Sequence, residues 1–216
     1  MIPPELGALF VSAFVTLFVV IDPPGCAPIF AGLTKGASPA QARSMAIRAC
    51  VIATLILFTF ALFGEQLLSA LHIELNSFRI AGAIMLFLIA LEMVFEKRTQ
   101  RRNERAEKVI AHNEEAPEVN DVSVFPMAMP MLAGPGSIAT VMLLMSSAKG
   151  TEATIAILAA LVCVLLLSLA ALVAATPLMR LVGDQVEAVI SRLLGVLLAA
   201  LAAQYVIDGF REAMVG

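Results

Sequence analysis

The residues of this chain whose types and spacing could do chemistry fall at two interruptions of otherwise apolar sequence. The first is Asp22-Pro23-Pro24-Gly25-Cys26. A carboxylate at the centre of a membrane helix costs about 2.5–3.5 kcal/mol on insertion scales, so an acid beside a long apolar run points to a function. Three roles suit Asp22. It can take and release a proton, it can help coordinate a cation, or it can cap the helix that follows, with Pro23 at the first helical position. The second interruption is Gly134-Pro135-Gly136-Ser137, with Thr140 one turn further on. A helix that starts there presents unpaired amides, and these, with the helix dipole, attract anions. The carboxylate of an amino acid suits such a place, with hydroxyl contacts from Ser137 and Thr140. Close helix packing through small residues accounts for the same composition without a ligand.

The remaining inventory is sparse. Cys26, Cys50 and Cys163 are far apart in apolar runs and read as small packing residues. His72 and His112 lie in different loops without metal-ligand spacing. No Ser-His-Asp set, phosphate-binding glycine loop or metal signature is present, so no catalytic residue, metal or cofactor is expected. Arg79 and Arg192 stand at the starts of apolar runs, where snorkelling to a membrane interface explains them. Glu92, Gln204 and Asp208 lie late in theirs and belong to no motif.

The elements that must position these residues are membrane helices. Of 216 residues, 60% are apolar and 14% charged, against about 45–50% and 25% in soluble domains; the mean hydropathy is +0.94. So few charges cannot cover so much apolar surface in water, whereas lipid can. The net charge of −3, with basic residues at run ends and in one loop, offers no face for nucleic acid. The N-terminus lacks a basic n-region and an A-x-A-like site, so the first run reads as a retained span. Apolar runs cover residues 6–33, 46–63, 80–95, 122–145, 153–178 and 189–206, each compatible with the ~20 residues that a crossing needs. The first and fourth carry the helix breakers. Two prolines and a glycine in series should open the backbone for several residues, and such backbone must face protein or a watery cavity. The expected fold is all-α: one polytopic bundle over residues 1–216 with six spans, the first and fourth broken.

Lysines and arginines orient it. Lys35, Arg43 and Arg48 follow span one, Lys97, Arg98, Arg101, Arg102, Arg105 and Lys108 follow span three, and Arg180 and Arg192 follow span five. Only Arg79, Lys149 and Arg211 fall on the other side. The positive-inside rule then puts both termini outside and the loop of residues 97–121 in the cytoplasm. That loop turns acidic in its second half, with Glu114, Glu115, Glu118 and Asp121, and residues 101–110 could form a surface helix. The halves also resemble one another. Pro24-Gly25-Cys26 matches Pro135-Gly136-Ser137, and Ser77-Phe78-Arg79-Ile80-Ala81-Gly82 matches Ile190-Ser191-Arg192-Leu193-Leu194-Gly195. Three spans per half make the second half enter from the opposite side. This is an inverted 3+3 repeat, about 1–96 and 122–216, as in many secondary transporters, with paired breaks pointing to a midplane site.

Ile21-Asp22-Pro23-Pro24-Gly25-Cys26-Ala27-Pro28-Ile29-Phe30, together with the stretch from Phe125-Pro126-Met127-Ala128-Met129-Pro130 through Gly134-Pro135-Gly136-Ser137 to Thr140, resembles the paired signature of the MarC family of six-span inner-membrane proteins. The likeness covers essentially the whole chain. It departs where the family commonly has asparagine, at Asp22 and often at Cys26. The resemblance implies a transporter of small neutral amino acids, glycine- or alanine-like, coupled to H+ or Na+, in the cell inner membrane.

The expected function is therefore alternating-access transport, not catalysis, with Asp22, Pro23, Pro24, Gly25, Cys26, Gly134, Pro135, Gly136, Ser137 and Thr140 around the substrate and Asp22 as the ion-coupling candidate. A passive channel or scaffold is the competing reading. A membrane thiol–disulfide carrier fits Cys26 beside its prolines, but the repeat mate Ser137 cannot form a disulfide. Small-residue stretches such as Ala199-Ala200-Leu201-Ala202-Ala203 permit a homo-oligomer.

Overall fold

The computed structural model describes residues 4–95, 100–101, 104 and 121–215. Most of the charged central loop, including Lys97, Arg98, Arg102, Arg105, Lys108, Glu114, Glu115 and Glu118, and with it the expected surface helix, lies outside the described residues. Among the described residues the regular structure is all helical. In chain order the helices are α1 (Pro4–Ile21), α2 (Pro23–Leu33), α3 (Pro39–Ala70) and α4 (Leu75–Val94). A wide-turned segment, π1 (Ser123–Leu132), follows, and then α5 (Pro135–Ser146), α6 (Thr151–Val173) and α7 (Ala175–Val215). Five stretches are long and apolar enough to cross a membrane: Glu5–Leu33, α3, α4, α6 and Val189–Arg211 within α7. The pair π1 and α5, bent by 50°, makes a sixth if counted as one span.

Local chemistry explains the boundaries. α3 begins with a reciprocal cap: Gln41 N–H donates to Ser38 Oγ at 3.3 Å, and Ser38 N–H donates to Gln41 Oε1 at 2.9 Å. Pro39 takes the first helical position, where its missing N–H is harmless. In π1, Phe125 and Met129 are extended, each ahead of a proline, as the clash with the proline ring requires. The N–H groups of Met127 and Ala133 reach back five residues to Val122 and Ala128, at 3.3 and 2.9 Å.

Two expectations are corrected. The first interruption opens the helix at Asp22 alone rather than for several residues, because Pro23 and Pro24 start a new helix instead of obstructing an old one. The connector expected after span five is helical: α6 ends at Val173, and α7 runs 41 residues from Ala175. Pro177 sits in its first turn, where amide protons have no intrahelical partner.

The interior divides into two clusters. The larger draws mainly on α1, α2, α3, π1, α5 and α6, around Leu17, Phe30, Leu57, Met127 and Leu161. The smaller joins Leu86, Ala90 and Met93 of α4 to Leu198 and Ala202 of α7, closed by Val19 and Val20 of α1 and Leu143 of α5. α4 and α7 form the most extensive helix pair among the described elements. They run antiparallel and meet at two glycines. A Cβ on Gly195 would lie 2.9 Å from Met93 Cβ and 3.1 Å from the Ala90 carbonyl, and one on Gly209 would lie 2.8 Å from Ile80 Cγ1. At the other edge, Asp121 links π1 to α3: it accepts from Ser123 N–H at 2.9 Å and from Arg48 Nη1 at 2.9 Å.

Two tests follow from this packing. Gly195→Val inserts a three-carbon isopropyl group against fixed backbone, and overpacking costs about 1–3 kcal/mol. Its melting temperature in detergent should fall clearly. Gly82→Ala, whose Cβ would meet nothing within 4 Å, should leave it unchanged or raise it. Hydrogen bonds from Ser123, and then Arg48, hold the Asp121 carboxyl below its ordinary value of 3.8. A carboxyl lowered on folding stabilises above its ordinary value and loses that contribution as pH falls through its folded value. The pair is exposed, 64% and 45%, so the effect is small. Asp121→Asn should melt slightly below the wild type at neutral pH, and the gap should close on acidification below 3.8.

Candidate functional site

At the first interruption, Asp22 adopts a left-handed backbone, φ 58 and ψ 64, which aspartate tolerates better than most residues. Its Oδ1 accepts from Gly25 N–H at 3.1 Å, so the side chain caps α2. Cys26 Sγ donates at 3.6 Å to the Ile21 carbonyl, an acceptor that the break exposes. The N–H groups of Asp22 and Cys26 bond the carbonyls of Phe18 and Asp22 at 2.9 and 3.1 Å. A Cβ on Gly25 would overlap the Asp22 carboxylate, so the cap requires glycine there. Asp22 is 3% exposed; Pro23, Gly25 and Cys26 are buried, and Pro24 is partly so.

The second interruption is built differently. Gly134 precedes α5 in extended conformation, and no side chain caps the helix. Gly134 lies against the Pro130 carbonyl, and Gly136 lies against Ile89 of α4, with Val20 Cγ1 3.8 Å from where a Cβ would stand. These two glycines let π1, α1 and α4 converge on the start of α5. A cavity of about 160 Å³ opens there, walled by Val20, Ile89, Glu92, Pro130 and Met131 and floored by Gly134, Pro135, Gly136 and Ser137, with Arg101 at its rim donating to Glu92. A water needs ~10–15 Å³ on this measure, so the space suits a solute of a handful of heavy atoms.

The expected site is thus brought together in part. Gly134, Pro135, Gly136 and Ser137 share one cavity. Asp22, Pro23, Pro24, Gly25 and Cys26 do not line it; Val20 is the residue that α1 contributes. Thr140 is buried and outside it, and its hydroxyl proton goes to the Gly136 carbonyl at 2.7 Å, a helix-internal bond in place of the expected ligand contact. Glu92 and Arg101 went unassigned because neither belongs to a motif and nine residues separate them.

A second cavity, about 670 Å³, lies at the other end of α5, between its last turn and the facing ends of α4 and α7. Arg79, Ser147, Lys149, Tyr205, Asp208 and Arg211 line it. Arg79 is 6% exposed and donates through Nη2 to Ser147 Oγ at 3.5 Å. It points into the bundle instead of snorkelling, because the polar end of α5 offers it partners. Arg192 is exposed, as a snorkelling residue is. Among the described residues no cluster of His, Cys, Asp and Glu could hold a metal ion.

Helices of membrane-spanning length, with polar cavities at broken and terminal turns, define an integral membrane protein. The comparisons agree. Residues 7–214 match the model of the MarC family integral membrane proteins, and the chain belongs to that family. It is 34% identical over 211 residues to a UPF0056 membrane protein of Archaeoglobus fulgidus, covering 96% of this chain and 95% of that one. It is 30% identical over 210 residues to the UPF0056 inner membrane protein YhgN of Escherichia coli K12, covering 95% and 98%. It is 31% identical over 206 residues to the UPF0056 membrane protein YvbG of Bacillus subtilis, covering 94% and 95%. No solved structure matches the chain.

The cap at Asp22 is open to a double-mutant test. Asp22→Ala removes it, at a cost of about 0.5–2 kcal/mol, and Gly25→Ala displaces the same carboxylate. Each single variant should melt below the wild type. The double variant should melt no lower than Asp22→Ala alone, since residues sharing one interaction are not additive.

Proposed function

We propose that the protein is a secondary transporter of small neutral amino acids, glycine- or alanine-like, coupled to H+ or Na+, and not an enzyme. One observation carries this reading: α5 has a polar cavity at each end, and α4 lines both cavities. Twelve residues of helix, about 18 Å, separate them. A rocking motion along α4 widens one cavity as it narrows the other, which is the geometry of alternating access.

The start of α5 supplies the recognition. Its uncapped amides suit a carboxylate, Glu92 on the facing wall suits an ammonium, and the small volume favours glycine and alanine over larger solutes. The inverted 3+3 repeat supports the same reading. In each half the first span is interrupted ahead of a proline-started helix, and the two third spans, α4 and α7, lie antiparallel, as halves of opposite orientation would. Asp22 is the ion-coupling candidate, as a buried carboxylate at the break of the first span. The charge bias and the inner-membrane name of the Escherichia coli relative support an inner-membrane location with both termini outside and residues 97–121 cytoplasmic.

The test is uptake of labelled glycine and alanine into proteoliposomes under an inward proton or sodium gradient. Gradient-driven accumulation is expected. Gly136→Val puts an isopropyl group where Ile89 Cδ1 stands, crowds the smaller cavity and should cut the initial rate about tenfold or more, since even one added methylene in a tight pocket does so. Asp22→Asn keeps a capping oxygen and should abolish proton coupling while leaving binding. Folded wild-type protein that moves neither solute under either gradient removes this proposal, and equilibration without accumulation makes the protein a passive channel.

A further inference from the structure

The larger cavity carries a feature that the proposed transport site does not use. Of the 14 lysines and arginines in the chain, span order puts three on the side away from the basic loop, against the usual bias. Those three, Arg79, Lys149 and Arg211, come from three separate elements and line one cavity. A solvated interface gives no reason for them to converge. The dipole at the end of α5 favours a nearby cation, and that accounts for Arg79 or Lys149 but not for Arg211 on α7.

We propose that this cavity is a binding site for a small organic anion, recognised through its carboxylate. Arg79 is the anchor: its guanidinium is buried and held against Ser147, whose Oγ in turn donates to the Leu143 carbonyl at 3.2 Å. A guanidinium so fixed presents a planar fork that matches a carboxylate. Lys149 and Arg211 are exposed at the mouth and draw the anion in. Asp208 and Tyr205 stand one turn apart on α7 and form the opposite wall, where the carboxylate of Asp208 sets the orientation of the bound anion by repulsion. The volume of about 670 Å³ falls within the range of small-molecule sites. The proposal does not depend on what crosses the membrane, since it involves none of the residues that floor the smaller cavity.

The chain has one tyrosine and no tryptophan, so emission excited at wavelengths that phenylalanine does not absorb reads this cavity alone. Titrating the purified full chain in a non-aromatic detergent with sodium acetate should change Tyr205 emission in a saturable way and release or absorb heat in a calorimeter. Sodium chloride at equal ionic strength should do neither. Lys149→Gln and Arg211→Gln, at exposed positions that folding tolerates, should each weaken acetate about threefold, and Arg79→Gln should weaken it about tenfold or more. Gly136→Val should leave acetate binding intact even where it stops uptake, so failure here is distinguishable from failure of the transport reading. Acetate that gives neither signal overturns the proposal. So does a chloride response equal to that of acetate, or unchanged acetate affinity in the Lys149→Gln, Arg211→Gln double variant.

Discussion

Backbone amides and carbonyls inside an apolar bundle must find partners within the protein, and the two interruptions of this chain meet that demand in opposite ways. Leaving such a group unpaired in hydrocarbon costs several kcal/mol. At Asp22 the demand is met locally: a carboxylate takes the Gly25 amide and a thiol takes the Ile21 carbonyl. The break itself can therefore be buried, with Asp22 3% exposed. At Gly134 no side chain caps the helix, and the structure keeps a cavity there. One break is capped by its own side chains, while the other leaves polar backbone facing a space that a ligand can fill.

The absence of side chains sets how closely the walls of that space approach. Gly134 and Gly136 bring the Pro130 carbonyl, Ile89 and Val20 against the start of α5. Gly195 and Gly209 seat α4 on α7 in the same manner. The first pair of glycines permits close approach at a helix end, and the second permits it between two helices. Met93 and Ile80 sit over Gly195 and Gly209 like pegs, so sliding α4 along α7 has to lift both at once. The pair is suited to move as a body against α5, to which Leu143 and the two cavities connect it.

Much of this was legible in the residues, for identifiable reasons. Apolar runs with few charges give the membrane class directly, and Pro23 and Pro135 mark helix starts because a proline needs no amide partner there. The extent of the first break was not legible: a Pro-Pro-Gly series reads as disruption until one sees that all three residues belong to the new helix. Residues 179–188 mix charges with good helix formers, a pattern that a loop and an exposed helix share. Arg79 at the start of an apolar run fits the lipid interface and the bundle interior equally well, and the choice depends on Ser147, which arrives from another span. The smaller cavity draws on four separate stretches of chain and the larger on three, so neither has a contiguous signature. Asp22 stands out in the sequence, but its residue type alone does not separate capping from a ligand contact, and the structure shows the cap.

The length of α7 has its own consequence. Its 41 residues trace about 60 Å of helix, twice the ~30 Å hydrocarbon thickness. The apolar window begins only at Val189. The turns from Ala175 to that point therefore project from the same rod that forms the last span, with no hinge between them. Such a rod acts as a lever. A small tilt of the membrane-embedded part about its glycine contacts becomes a larger sweep at the Ala175 end. Through the single residue Ala174, that sweep is passed to the end of α6, so the last two spans are mechanically geared at their junction.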